Sequence, residues 1–195
     1  FGSVACAASL EDFDSLQRTN PEITAHGLYI RSQDAYATNV RVPPFNDIRV
    51  RKAMQMALDH ETINATYFKG YGNWEPQGRL SSDFTGWTTP FAEWPEEVKK
   101  YYTYDPEGAE ALLDAAGHER DADGIRFKTV VIGKSKHISY NEIASEYWRE
   151  IGIQVEIRTV DKAEAEAFCS GGRQKGIVVG IQTEDVIMRA CADEA

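Results

Sequence analysis

The chain has 195 residues, 42% of them hydrophobic and 27% charged, and its 21 Lys+Arg against 31 Asp+Glu give a formal charge of -10. A domain of this size buries roughly 70% of the surface its unfolded chain exposes, so one full core forms without staples. The acidic balance argues against a nucleic-acid reader, the lack of a run of about 18 apolar residues against a membrane span, and three cysteines (Cys6, Cys169, Cys191) without C-x-x-C spacing against a disulfide or zinc scaffold.

The first nine residues have no basic flank and too short an apolar stretch for an intact signal peptide. The abrupt start and stop lead to the expectation of a segment of a longer chain. Residues 10 to 24 read as a polar helix or turn ending at Asn20-Pro21. Two short extended stretches, Gly27 to Ile30 and Ala35 to Val40, are rich in aromatic and β-branched residues. After Pro43-Pro44, Asp47 caps a helix whose Val50, Ala53, Met54, Ala57 and Leu58 form one stripe of a 3.6-residue period. Its polar face carries Arg49, Arg51 and Lys52, expected to be solvated. A second helical segment, Glu61 to Lys69, stops at Gly70.

From Tyr71 to Tyr104 the periodicity disappears, yet this stretch holds nine of the 21 aromatic residues, among them Trp74, Trp87 and Trp94. Structureless connections longer than about 12–15 residues are uncommon unless functional or disordered, and so many aromatics argue against disorder. The rings either pin the loop to the body or face a ligand.

Asp105-Pro106-Glu107 is a helix start with a capping acid and Pro at the first helical position. Asp121 to Gly124 is a turn, Ile125 to Ile132 a strand, and Ser139-x-x-Glu142 a capping box opening a helix that ends at Gly152. Alternation over Ile153 to Val160 gives a strand with one exposed face or edge. Asp161 caps a further helix, and Gly176 to Ile181 is a third, buried strand. The order over 125–181 is β-α-β-α-β, so the fold class is α/β with a mixed, largely parallel sheet flanked by helices.

Chemical signatures are sparse. No G-x-S-x-G elbow, phosphate loop, G-x-G-x-x-G or H-E-x-x-H occurs, and the four histidines, His26, His60, His118 and His137, share no metal-ligand spacing. Neither a catalytic group, a metal nor a cofactor is expected. An enzyme working through Cys169 or Lys134 is the weakest reading. Glu184-Asp185 follows the third strand, at the carboxyl edge where open α/β sheets bind ligands.

The run from Asn39 through Pro44-Phe45-Asn46-Asp47-Ile48-Arg49-Val50-Arg51-Lys52-Ala53 to Ala57-Leu58-Asp59-His60-Glu61-Thr62-Ile63 resembles the extracellular solute-binding proteins of family 5, receptors of ABC importers. Tyr104 to Leu113, Ala115-Ala116-Gly117 and Ile151 to Ile157 are similar to that family in the same order. The resemblance implies one periplasmic-binding-protein-like lobe of a two-lobe receptor. Residues 1–34 lead into the lobe, 35–70 form a strand and helices, 71–104 the aromatic-rich loop, 105–181 the α/β unit, and 182–195 start the return to the other lobe. It further implies an extracytoplasmic, noncatalytic protein that takes a small solute, such as an oligopeptide, and hands it to an ABC permease. The N-terminal lobe of the same chain and any lipid anchor would lie outside this segment, the membrane being met only through permease or anchor. Candidate ligand-binding residues are Asn39 at the strand end, Trp74, Trp87 and Trp94 in the loop, and Asp185. Many peptide-binding members carry a Gly-Trp-x-x-Asp-like segment here; Gly180 to Asp185 lacks the Trp. A second reading, the ligand-sensing domain of a cytoplasmic transcription regulator, would need an upstream helix-turn-helix.

Overall fold

The computed structural model describes residues 10–22, 36–70, 72, 74–76, 86–87, 89–161, 163–164 and 176–179. The chain divides into two compact units, Phe1–Arg31 and Ser32–Ala195. In the first, helix α1 (Leu10–Thr19) matches the polar helix expected there. Its last turn is closed by Asn20 N–H donating to the Leu16 carbonyl at 2.9 Å.

The second unit is built on a four-stranded sheet of order β1-β4-β2-β3. Its strands are β1 (Tyr36–Thr38), β2 (Phe127–Gly133), β3 (Ile153–Thr159) and β4 (Ile177–Val179). β2 pairs in parallel with both β3 and β4, as the β-α-β-α-β order requires, while β1 pairs antiparallel with β4. β3 lies at the sheet edge, and its exposed Gln154, Glu156 and Arg158 alternate with more buried residues. The strand read at 27–30 lies outside the described residues.

Helix α2 (Ile48–Met56) begins where Asp47 accepts a hydrogen bond from Arg49 N–H at 2.8 Å. Its apolar stripe is buried as expected and packs on α5 (Pro106–Ala115), which Asp105 caps by accepting from Gly108 N–H at 2.8 Å. Helix α6 (Ile138–Glu150) carries Trp148 into the core, where its indole N–H donates to the Met54 carbonyl at 3.0 Å. Phe45, Val50, Leu113, Val131, Trp148, Ile153 and Ile177 join one buried cluster. A buried indole needs such a partner, because an unsatisfied N–H costs about 1–3 kcal/mol.

Four details differ from the sequence expectations. Helix α3 (His60–Thr66), capped by Asp59, ends before Lys69 because Lys69 and Gly70 take φ of 50° and 79°, which turn the chain out of the helix. α6 starts one residue before Ser139, and His137 at its N-cap makes no side-chain capping bond. A 3₁₀ turn at Ser135–His137 feeds directly into the helix, with His137 N–H donating to the Lys134 carbonyl at 2.9 Å, so the capping box is not used. The 71–104 stretch is not all loop. Pro90 leads into a 3₁₀ turn (Phe91–Glu93) and Pro95 into α4 (Glu96–Lys99), where fixed proline φ and acidic first-turn residues favour a helical start.

The basic face of α2 is the fourth difference. Arg49 chelates Asp47 and donates to the Ala115 carbonyl, tying the start of α2 to the end of α5. Arg51 donates to the Phe45 carbonyl at 2.6 Å, and Lys52 sits 3.8 Å from the centre of the Tyr101 ring. The three cations therefore also hold backbone and ring groups, Arg49 with 46% of its side chain still exposed and Arg51 and Lys52 half-buried.

Candidate functional site: the carboxyl edge of the sheet

Parallel β2, β3 and β4 bring Gly133, Thr159 and Val179 to one edge. This is the edge at which open α/β sheets bind ligands, because connections leave the strands there on either side of a crevice. β1 runs the other way, and Tyr36 opposite Val179 brings its first residue to the same edge. The Val160 N–H donates to the Gly133 carbonyl at 3.0 Å and keeps the ends of β2 and β3 together.

Three elements deliver rings to this edge. Tyr36 of β1 stacks on Tyr140 of α6 with centroids 5.6 Å apart and planes 14° apart, and meets Trp148 edge-on at 4.9 Å. Tyr67 and Phe68, just past α3, approach Tyr140 at 6.4 and 5.9 Å. The Tyr36 hydroxyl donates to Asn141 Oδ1 at 3.2 Å, and Asn141 is almost wholly buried. His137, also buried, lies between the end of β2 and the start of α6.

The opposite, amino edge is chemically different. Arg126, with 2% of its side chain exposed, pairs with Glu110 at 2.9 Å and with Asp114, and donates to the His118 carbonyl at 2.6 Å. Arg120 pairs with Glu110 at 3.0 Å and donates to the Gly124 and Glu150 carbonyls at 2.8 and 2.6 Å. The hydrogen bond from Arg120, followed by that from Arg126, holds the Glu110 carboxyl below its ordinary range. Gly152 adopts φ 85°, and a Cβ there would stand 3.0 Å from the Gly124 carbonyl oxygen and 2.9 Å from an Arg120 nitrogen, so the turn into β3 closes against this network only with glycine.

Of the residues expected from sequence to bind ligand, Asn39 follows Thr38, which pairs with Ile177 at the level of Val131 and Ile157, and its Oδ1 accepts from Arg41 N–H at 3.0 Å. It closes a turn there. Trp94 donates its indole N–H to the Thr89 carbonyl at 2.9 Å and packs edge-on against Phe91 and Tyr102, stapling its own loop. Trp74 and Trp87 are exposed, Trp87 to 81%. Asp185, Glu184, His26 and the three cysteines lie outside the described residues.

Sequence reasoning missed Tyr36, Phe68, Tyr140 and Asn141 as one group. Tyr36 and Asn141 are 105 positions apart, and no local spacing announces their meeting. Of the remaining histidines, His60 is pushed down by burial against the opposing pull of Asp59, and its Nε2 lies 2.8 Å from the Gln55 amide nitrogen. Among the described residues no group of three His, Cys, Asp or Glu could hold a metal, and no helix is long and apolar enough to cross a membrane. Ring faces, a phenol and an amide are groups for recognition.

The family description "Bacterial extracellular solute-binding proteins, family 5 Middle" matches residues 5–180. Di/tripeptide-binding protein 1 of Pseudomonas aeruginosa (strain UCBPP-PA14) is 27% identical over 150 residues, covering 74% of this chain and 26% of that protein. The dipeptide-binding protein of Escherichia coli (strain K12) is 25% identical over 147 residues, 73% of this chain and 25% of that one. Among solved structures, an oligopeptide-binding protein OppA superposes with a TM-score of 0.65 at 26% identity, covering 88% of this chain and 29% of that one. The chain thus spans about a quarter of the length of the curated relatives it matches.

Proposed function

This chain belongs to the bacterial extracellular solute-binding proteins of family 5, and from that premise we propose that it forms one lobe of a noncatalytic receptor that captures a peptide and delivers it to an ABC permease. The observation that carries the reading is the carboxyl edge: β1, α3 and α6 each bring aromatic or amide groups to the side of a parallel sheet where ligands are held. Peptide specificity in the di/tripeptide- and dipeptide-binding relatives supports the solute class. Work outside the cytoplasm accords with the family description.

In this reading the solute closes the two lobes by binding the closed state better than the open one, and the permease recognises that state. Trp74 and Trp87 remain as solute contacts because their rings are exposed. Asp185 remains because in sequence it comes six residues after Val179, the last residue of β4. Asn39 and Trp94 stay among the candidates, each also closing a turn of its own.

The test is calorimetric titration of the full-length receptor with dipeptides and tripeptides. Binding at about 1 μM corresponds to roughly -8 kcal/mol, and half the contacts would leave roughly -4, near millimolar, so an isolated lobe is the wrong sample. Saturable peptide binding accompanied by compaction in small-angle scattering is the expected result. Absence of both across a panel of free peptides would remove the peptide reading.

A further inference from the structure

The aromatic group at the carboxyl edge has a solvent side as well as a core side. Tyr36 rests on Trp148 and thereby on the core, whereas Phe68 and Ile138 are each 37% exposed. Phe68 is also held in place. Its N–H donates to the Ile63 carbonyl, Gly70 N–H to the Asn64 carbonyl at 2.8 Å, and Gly72 N–H to Asn64 Oδ1 at 2.9 Å, so the chain that presents the ring is wrapped back onto α3. Tyr67 meets Phe68 edge-on at 4.8 Å, and Tyr140 stands behind both. Of the charged neighbours in sequence, Lys69 and Lys134 are already engaged within the protein, and the exposed Glu142 stands two residues past Tyr140, on a different face of α6.

Building on the proposed peptide-binding role, we infer that this edge is a specificity subsite for an uncharged aromatic side chain of the bound peptide, laid against Phe68 and Tyr140. Ring faces reward another ring through offset or edge-on contact and through apolar area removed from water. A Lys or Glu side chain at the same place loses hydration and gains no opposite charge from these groups. A fixed backbone under Phe68 adds to the effect, because little ordering remains to be done on binding.

The experiment is titration of the full-length receptor with the dipeptides Ala-Phe, Ala-Ala and Ala-Lys, repeated on Phe68→Ala and Phe68→Leu. Phe68 is partly exposed and lies past the helix end, so both variants should fold, which melting checks. Ala-Phe is expected to bind about tenfold tighter than Ala-Lys. Phe68→Ala should weaken Ala-Phe about fivefold, with Phe68→Leu between it and the parent, while Ala-Lys stays within about twofold. Equal affinities for the three dipeptides, or a preference untouched by Phe68→Ala, overturn the subsite and leave peptide binding standing. No binding of any of the three overturns the peptide reading and the subsite together.

Discussion

The two edges of one sheet are held together by different physics. At the amino edge, Arg120 and Arg126 spend their donors on Glu110, Asp114 and three backbone carbonyls, so the turns at 117–126 and 150–153 are fastened by charge-assisted bonds. At the carboxyl edge, a phenol–amide bond and a set of ring contacts join β1, the segment just past α3, and α6. Donors engaged in this way offer little to a ligand, and Arg126 Nε, which has no partner, is buried, whereas ring faces can take a second partner. Stability is therefore expected to depend on the amino edge and solute selection on the carboxyl edge.

Trp148 is the residue that most directly breaks this separation, because it touches Tyr36 on one side and bonds the Met54 carbonyl on the other. Replacing it with Ala removes a buried ring and leaves a carbonyl without its donor, for a loss of about 3–5 kcal/mol. Denaturant unfolding of the full-length protein should register that loss, and peptide affinity should fall with it. A loss below 1 kcal/mol would mean that the core is not organised around this indole.

Arg126→Met sharpens the comparison. Its acidic partners are more than a third exposed and keep most of their hydration when the cation is removed, so the loss should be about 2 kcal/mol, less than for a fully buried pair. Unfolding should become easier while dipeptide affinity stays within about twofold of the parent. A parallel fall in affinity, measured calorimetrically, would show that the edges are coupled.

How much of this was legible in the sequence differs between the two edges. The order of β2, α6, β3 and β4 follows from periodicity and turn residues, and Asp47 and Asp105 cap helices as their contexts predict. Periodicity marks Tyr36 only as a strand residue and Tyr140 and Asn141 only as part of a capping box. Their juxtaposition depends on β1 pairing antiparallel with β4, a choice made over more than a hundred residues. Tryptophan density likewise pointed to the 71–104 stretch without distinguishing Trp94, whose N–H closes its own loop, from Trp87, whose ring is open to solvent. The basic residues of α2 show a related limit: a helical wheel gives the face, on which Arg49 stays exposed, while the carbonyls and the ring that these residues also hold come from elsewhere in the chain.

Tyr36→Phe probes the carboxyl edge with a smaller effect. The ring contacts stay, and the hydroxyl's bond to Asn141 Oδ1 is lost, which should lower stability by about 1 kcal/mol. Asn141→Leu alone removes the acceptor, and adding it to Tyr36→Phe should cost less than the sum of the two single changes, since both remove the same bond. Strict additivity in a double-mutant cycle would mean that the phenol and the amide do not interact.

The smallest expected effect lies where α2 meets α5 and concerns pH. Arg49, through its side-chain and then its backbone hydrogen bond, lowers the Asp47 carboxyl from 3.8 to about 2. A carboxylate favoured in the folded state contributes stability that is complete above its unfolded value and disappears as pH falls through its folded value. The window for Asp47 therefore runs from about pH 4 down to about pH 2. The side chains are solvent-exposed and screened, so the contribution is small. Comparing urea unfolding of the parent and Asp47→Asn at pH 6 and at pH 2 isolates it. The two proteins should differ at pH 6, where the ionised cap and its Arg49 clamp are intact, and converge at pH 2. The convergence should survive in Arg126→Met, because Arg49 reaches the Ala115 carbonyl without passing through the Arg126 network. If removing Arg126 abolishes it, the end of α5 is held by that network and the Asp47–Arg49 clamp merely follows.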